Sequence, residues 1–351
     1  MIRFFTKRIA YGLMVLAGVI CIVFLLFHAL PGDPVSLIAG QRSDISTRQE
    51  ITRELGLDKP LHIQFLYYIN DLSFVSIYKS SVDNKQKYNY KEIMRLGDQV
   101  IVLKWPYLRR SFQTNKKVTE IIQDNIYDTL WLALAAMLFA SIVGILLGIV
   151  AALNQNSFLD HFFISASVFG ISIPSFVSAI IIAMIFGYYL SDITGLNLTG
   201  QLWVNHPIRG RELQLQNLIL PALTLGIRPL AIIVQLTRSS MLEVLSLDYI
   251  RTAYAKGLTK YQVVFKHALK NAMNPVITAV SGWLASLMAG AFFVEYIFDW
   301  KGLGYITIKA VQSLDFPVVM GVTLLVATIF VIINIFVDLL YAAIDPRIRL
   351  N

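Results

Sequence analysis

Residues 130–153 read LWLALAAMLFASIVGILLGIVAAL, a run of 24 consecutive residues without a charged side chain. An α-helix rises about 1.5 Å per residue, so this run reaches about 36 Å and exceeds the roughly 30 Å of a bilayer's hydrocarbon core. A stretch this long and this apolar predicts a membrane-spanning helix.

Five other runs have a similar length and are similarly apolar, at 9–30, 162–190, 218–236, 276–294 and 318–337, and of these only 218–236 contains a charged residue, Arg228. Of the 351 residues, 56% are hydrophobic and 15% are charged, whereas a soluble domain carries about 25% charged residues. The first run has 22 residues, more than the roughly 7 to 15 of a signal peptide's apolar region, so we expect it to remain as a helix. The sequence predicts an all-α integral membrane protein with six transmembrane helices and excludes an ordinary soluble enzyme.

Lysine and arginine are distributed unevenly among the short loops. If both termini are cytoplasmic, the inside segments carry 11 Lys and Arg residues and the two short outside loops carry four. Because positively charged loops resist translocation, this asymmetry predicts that orientation. The formal net charge of +8 then follows from membrane orientation, and nucleic-acid binding is not predicted.

This topology divides the chain into four parts. They are 1–30, the cytoplasmic N-terminus and first helix; 31–125, an extracytoplasmic segment with a polar insertion at about 74–104; 126–345, a five-helix core; and 346–351, a cytoplasmic tail. The core includes a long cytoplasmic loop at 237–275, whereas the other cytoplasmic loop, 154–161, has only eight residues.

The loop at 237–275 has the pattern of a helical hairpin. We expect Asp248 to cap a first helix at 249–256 and Gly257 to end it in the left-handed conformation. Such a hairpin is either a solvated connector or a surface that contacts a partner, and its length favours the second interpretation.

The second helix of this hairpin has its own start and stop signals. Thr259 is expected to cap a helix that runs to Asn271, and Asn274-Pro275 to close it before the next span.

Residues 248–258 read DYIRTAYAKGL and resemble the coupling loop of permease subunits in ATP-binding-cassette importers, within the dipeptide and oligopeptide branch. The family pattern is Glu-Ala-Ala, three residues, Gly, nine residues, and then Ile-x-Leu-Pro. Arg251-Thr252-Ala253 occupies the triplet, while Gly257 and Leu269 keep their positions. His267 and Lys270 replace the isoleucine and the proline, a departure that is common in the peptide branch.

The resemblance extends along almost the whole chain, apart from about 74–104. The matching motifs are Pro31-Gly32-Asp33-Pro34, Leu55-Gly56-Leu57-Asp58-Lys59-Pro60-Leu61, Thr237-Arg238-Ser239-Ser240-Met241, Glu295 with Phe298 and Gly302-Leu303-Gly304, Asp338-Leu339-Leu340-Tyr341, and Asp345-Pro346-Arg347-Ile348-Arg349. The resemblance implies an ATPase-coupling surface made of Asp248, Tyr249, Arg251, Thr252, Ala253, Ala255, Lys256, Gly257 and Leu258.

ATP must be hydrolysed by another chain, because no G-x-x-x-x-G-K-[ST] phosphate loop occurs here. The resemblance implies the type I importer permease fold, a location in the bacterial inner membrane, and four partners. These are a second homologous permease subunit, two ATPase subunits that hold ATP and Mg²⁺, and an extracytoplasmic substrate-binding protein. The implied cargo is a dipeptide or oligopeptide, with nickel and glutathione as alternatives within the same architecture.

Two other classes of protein remain as distant alternatives. An intramembrane hydrolase would use Ser172, beside Pro174, as nucleophile and would need a base within hydrogen-bond reach. No His-Glu-x-x-His motif is present, and Pro174 is more simply explained as a kink in the third span. An ion-coupled carrier would need acidic groups near mid-membrane, but only Asp338 is expected in a helix, near its inner end.

Arg228 lies inside the fourth span, where a charge is costly and indicates a functional site. A guanidinium along the pathway could bind a peptide carboxylate through two hydrogen bonds. Two structural explanations stay open. Arg228 could pair with an acidic group, including one on the other permease subunit, or Pro221 and Pro229 could shift it toward water.

Overall fold

The computed structural model describes residues 2–29, 56–206, 208 and 210–344, together with positions 35, 49 and 52. The chain forms two compact units. The first comprises Met1–Gly12, Asn125–Tyr305 and Thr328–Asn351, and the second comprises Leu13–Asp124 and Ile306–Ala327. Three sequence features lie outside the described residues, apart from positions 49 and 52: the motif at 31–34, which predicts a turn that ends the first helix; residues 46–55, for which the sequence predicts a short amphipathic helix; and the tail motif at 345–349.

Helices make up most of the described chain. In order they are α1 Ile2–Ala29, α2 Leu61–Leu72, α3 Val82–Tyr88, α4 Val118–Leu153, α5 Phe158–Ser172, α6 Ser175–Ile182, α7 Ser191–Thr194, α8 Gln216–Leu245, α9 Asp248–Ala255, α10 Lys260–Gln262, α11 Leu269–Gly290, α12 Phe292–Ile297, α13 Leu303–Gln312 and α14 Phe316–Ile344. Two π-helical turns, Ala183–Tyr189 and Val263–Ala268, follow α6 and α10.

Four helices in the described ranges are long and apolar enough to cross a membrane. They are Thr6–His28, Val118–Leu153, Gln216–Leu245 and Phe316–Asp338, and a bent pair adds a fifth if it counts as one span. The run predicted at 276–294 is not one helix, because α11 ends at Gly290 and α12 begins at Phe292. The prediction of several apolar helices is confirmed, whereas the count of six is not.

The third predicted span is broken where the sequence indicated a kink. Helix α5 meets the segment Ser175–Tyr189, which consists of α6 and the π-helical turn after it, at an angle of 108° across Ile173-Pro174. Proline lacks an amide N–H and disfavours the helical conformation of the residue before it, and Ile173 accordingly has an extended ψ of 130°. The proline therefore separates two helices instead of bending one.

The all-α prediction is wrong for two segments. A three-stranded antiparallel sheet of order β1-β3-β2 is built from Val75–Lys79 (β1), Lys91–Leu96 (β2) and Gln99–Leu103 (β3). A two-stranded hairpin pairs Trp203–His206 (β4) with Gly210–Leu213 (β5).

The three-stranded sheet forms because β-branched residues alternate between its two faces. In β3, Val100 and Val102 are fully buried and pack with Tyr90, whereas Leu103 is exposed. Gly97 has a φ of +59° in the two-residue turn between β2 and β3, a conformation that glycine adopts without steric cost. The polar insertion predicted at about 74–104 is thus an ordered element.

The core of the first unit lies between α4, α8, α11 and α12. Its fully or nearly fully buried side chains include Leu132, Ala136, Ile233, Leu287, Val294 and Trp300. Helices α4 and α8 approach closely at Gly148, where an added Cβ would lie 2.5 Å from the Cβ of Thr237. Glycine is required there because any side chain would separate the two helices.

Glu295 explains why glycines follow it in the Gly302-Leu303-Gly304 motif. Its side chain is fully buried, and its carboxylate accepts hydrogen bonds from the Thr129 hydroxyl at 2.7 Å and from the N–H groups of Gly304 and Tyr305 at 2.7 and 3.0 Å. A Cβ at Gly302 would collide with this carboxylate. The motif therefore positions the backbone around a buried acceptor, which compensates for its desolvation.

Candidate coupling site and pathway cavity

Helix α9 carries most of the predicted coupling residues and begins one residue earlier than expected. Leu247 occupies the N-cap, and Asp248 is the first helical residue with no capping hydrogen bond from its side chain. The prediction that Asp248 caps this helix is therefore wrong. Its carboxylate instead lies 3.4 Å from the guanidinium of Arg251, one turn later, and both side chains are exposed to solvent. A carboxylate in the first turn still favours the helix through the helix dipole.

The end of α9 is the glycine-closed turn that the sequence predicts. Gly257 has a φ of +81°. Its N–H donates to the carbonyl of Tyr254 at 2.9 Å, and the N–H of Leu258 donates to that of Ala253 at 3.3 Å. These two bonds form a Schellman motif, so the left-handed residue satisfies the carbonyls at the helix end.

The second helix starts as predicted and ends later. Thr259 and Gln262 form a reciprocal capping box. The helix then passes through the π-helical turn and continues as α11 across Asn274-Pro275, so the prediction that this dipeptide closes it is wrong. A proline inside a helix removes one N–H hydrogen bond and crowds the carbonyl four residues earlier, and packing on neighbouring helices can offset that cost.

The hairpin has a buried face and an exposed face. Ile250 and Ala253 are 1% and 6% exposed and pack into an apolar cluster at the ends of α4 and α8. The members of this cluster are Ile149, Ala152, Met241, Val244, Ile250, Ala253, Val263, Val264, Ala268 and Ala272, with Leu258 partly buried against it. Apolar burial of this kind fixes the hairpin to the helices that carry it.

The predicted coupling residues therefore separate into two groups. Ala253 and Leu258 pack against this chain's own helices. The remaining seven, Asp248, Tyr249, Arg251, Thr252, Ala255, Lys256 and Gly257, are exposed on the other side. Open space surrounds Gly257, where an added Cβ meets no atom within 4 Å.

Sequence reasoning missed two polar contacts, one within the hairpin and one between α5 and α8. Asn271 on α11 donates to the Tyr249 hydroxyl at 2.7 Å. Further along α8, Arg238 forms an ion pair with Asp160 in the first turn of α5. Sequence alone offers no signal for either contact, because the partners are 22 and 78 residues apart.

Arg228 is exposed on α8, between two prolines of that helix. It lines a cavity of about 140 Å³ between α5, α6, α8 and α11. The other lining residues are Gly170, Ile173, Ser175, Ser178, Thr224, Leu225, Ile227, Trp283, Ser286 and Leu287. Within the ranges that the structure describes, Arg228 forms no ion pair. The cavity thus combines one guanidinium with four hydroxyl groups and apolar walls.

The sequence profile of the binding-protein-dependent transport system inner membrane component family matches residues 144–350, and the profile of the corresponding N-terminal domain matches 1–133. The chain belongs to this family. The resemblance inferred from the coupling loop is therefore confirmed.

Curated relatives of this transport family align along the whole chain. The dipeptide transport system permease protein DppB of Escherichia coli (strain K12) is 37% identical, covering 99% of this chain and 99% of that protein. The glutathione transport system permease protein GsiC of Salmonella typhimurium (strain LT2) is 35% identical over the same shares. Among solved structures, an inward-facing MetNI methionine ABC transporter gives a TM-score of 0.50 at 18% identity, over 65% of this chain and 97% of that one, which supports the fold.

Membership of this permease family leaves the two distant alternatives without support. The Ser172 hydroxyl donates to the Val168 carbonyl one turn earlier at 2.8 Å, a common arrangement for serine in a helix. Asp338 lies 3.1 Å from the guanidinium of Arg8, so the acidic group near the C-terminal end of α14 has a structural partner. The family is one of transporter subunits, as the sequence predicts.

Proposed function

We propose that this chain forms half of the transmembrane pathway of an ATP-driven importer for dipeptides or oligopeptides. A second, homologous permease subunit supplies the other half. Two ATPase subunits hold ATP and Mg²⁺ and dock on the cytoplasmic side, and an extracytoplasmic binding protein delivers the peptide. The pathway alternates between outward and inward openings as the ATPases close and separate.

The coupling hairpin is the observation that carries this proposal. Its inner face is apolar and buried, while its outer face presents small and polar side chains around Gly257. A rigid projection anchored to three long helices is suited to pass a partner's conformational change into the membrane. Helices α4, α8 and α11 all contribute to its apolar anchor.

Peptide is the favoured cargo because the 37% identical relative is named a dipeptide permease. Glutathione is the second candidate, since a relative at 35% identity is named a glutathione permease. Both cargoes carry carboxylates, which suits a cavity lined by Arg228. We therefore place the peptide pathway beside this cavity.

Reconstitution tests this function. The chain is purified with the subunits encoded beside it, inserted into proteoliposomes, and supplied with binding protein and labelled dipeptide on one side and ATP on the other. We expect uptake that requires ATP and that competing peptides reduce more than glutathione or nickel does. Uptake driven by an ion gradient without ATP would identify a carrier, and preferential uptake of glutathione would establish the second candidate.

We further propose that both termini are cytoplasmic in the bacterial inner membrane and that 31–125 is extracytoplasmic. The distribution of Lys and Arg among the short loops supports this orientation. It places the sheet of β1 to β3 outside and the coupling hairpin inside, where ATP is available.

Cysteine labelling tests the orientation. In a Cys21→Ala background, single cysteines replace Val82, which is 81% exposed at the start of α3, and Ser246, exposed between α8 and α9. In intact spheroplasts, an impermeant maleimide should label position 82 and should label position 246 only after permeabilisation. The reverse pattern would invert the topology.

A further inference from the structure

An ion pair joins the first turn of α5 to α8, ten residues before the coupling hairpin begins at Asp248. The Asp160 carboxylate accepts two hydrogen bonds from Arg238. Nε donates to one oxygen at 2.5 Å, and Nη2 donates to the other at 2.7 Å. The N–H of Asn156 donates to the second oxygen at 2.9 Å. Asp160 is 2% exposed, so the carboxylate is enclosed and fully hydrogen-bonded.

The pair joins two helices that lead to the two proposed functional parts, the coupling hairpin and the Arg228 cavity. Arg238 lies on α8 three residues before Met241, a fully buried member of the hairpin's apolar cluster. Asp160 lies in the first turn of α5, and Gly170 and Ile173 at the other end of that helix line the Arg228 cavity. Helix α5 therefore extends from the ion pair to the cavity wall.

Stability alone is a weak reason for this pair. Desolvation of two charges often costs as much as their attraction returns, and apolar replacements of similar volume are frequently neutral or stabilising. A bidentate guanidinium and carboxylate pair does fix both distance and angle, which apolar packing does not. Its contribution is therefore to hold α5 and α8 in one register.

We propose that Asp160 and Arg238 are a positioning pair that makes α5 move together with the hairpin-bearing end of α8, so that hairpin movement displaces the wall of the Arg228 cavity. The inference rests on the proposed function. Neither residue contacts the transported molecule; both act through the helices that they join. Loss of the pair should uncouple ATP hydrolysis from transport without preventing docking of the ATPases.

The test compares two variants in reconstituted complexes. The double variant Asp160→Leu/Arg238→Met removes both charges together, and Arg238→Lys keeps the charge but loses the bidentate geometry. Assembly with the ATPases and ATPase activity should persist in both. Peptide transported per ATP hydrolysed should fall about tenfold in the double variant, which is the size of typical coupling between sites. In Arg238→Lys, which keeps the charge, it should fall less, by about threefold.

The matched control is Lys85→Met/Glu92→Leu, which removes an exposed ion pair in the second unit and should keep the normal ratio of transport to hydrolysis. A normal ratio in either variant of the Asp160–Arg238 pair, or failure of both variants to assemble, would mean that Asp160 and Arg238 only hold the fold. The unmodified complex in the same vesicles reports on the proposed function separately. If it lacks ATP-dependent peptide uptake, that function fails whatever the variants do.

Discussion

Replacement of Gly257 by valine should abolish ATP-driven uptake while leaving the permease inserted in the membrane. Gly257 has a φ of +81° in the Schellman turn that ends α9. A β-branched residue in this region of backbone space is a strong outlier and costs on the order of 1–3 kcal/mol. The turn should relax to another conformation and displace the exposed coupling residues, so that the ATPases bind weakly or hydrolyse ATP without transport.

The structure offers a matched control for this strain. Gly195 has a φ of +65° after α7, and an added Cβ there also meets no atom within 4 Å, yet it lies far along the chain from the hairpin. Gly195→Val should therefore carry a similar backbone cost and keep uptake coupled to ATP hydrolysis. Co-purification of the ATPases, ATPase activity and uptake are measured for both variants. If both valine variants give the same ATPase binding, ATPase activity and uptake, the hairpin is only a connector and has no coupling role.

Arg251→Ala should have a smaller effect than the glycine change. The Arg251 side chain is 77% exposed and meets only Asp248 among the described residues, so its removal leaves the hairpin conformation intact. An exposed ionic contact with a partner is worth about 0–1 kcal/mol. Uptake measured for Arg251→Ala beside Gly257→Val therefore distinguishes the effect of the hairpin's charge from the effect of its backbone shape.

The division of the coupling residues into buried and exposed groups could not be predicted from the sequence. Ala253 and Ala255 are identical side chains two positions apart, and two helical positions differ by about 200° around the axis. Only the direction of the apolar cluster decides that Ala253 is buried and Ala255 exposed. The turn at Gly257 was predictable because its signal is local.

Non-local contacts account for the main errors in the fold predicted from the sequence. Short runs such as β1 and β3 fit a strand or a loop equally well until their cross-strand partners are known. Conversely, Asn274-Pro275 is a local stop signal that tertiary packing overrides in α11. The long apolar helices were predictable because length and hydropathy suffice in a bilayer, where backbone groups must bond within the segment.

The Arg228 cavity also combines a predictable and an unpredictable part. A charge inside an apolar run is visible in the sequence, and it singles out position 228. The hydroxyl groups around it come from three helices: Ser175 and Ser178 from α6, Thr224 from α8 and Ser286 from α11. Their convergence depends on the 108° break at Pro174, which no local signal specifies in magnitude.

Replacement of Arg228 by alanine should lower peptide uptake strongly while leaving ATPase docking unchanged. A hydrogen bond to a charged group contributes about 1.5–3 kcal/mol, which corresponds to about 10- to 150-fold in affinity. Because Arg228 is not part of the apolar cluster that anchors the hairpin, the ATPases should bind normally. Arg228→Lys keeps the charge without the fork of donors and should retain intermediate uptake.

Dipeptides whose C-terminal carboxylate is replaced by an amide test whether Arg228 acts on the carboxylate. With the same binding protein throughout, any selection that it makes is common to all permease variants. The unmodified complex should transport a dipeptide acid faster than the corresponding amide, and Arg228→Ala should reduce that ratio about tenfold or more, because only the acid loses a charged partner. An unchanged acid-to-amide ratio in Arg228→Ala would remove Arg228 from the pathway and favour a structural role, such as pairing with an acidic group of the second permease subunit.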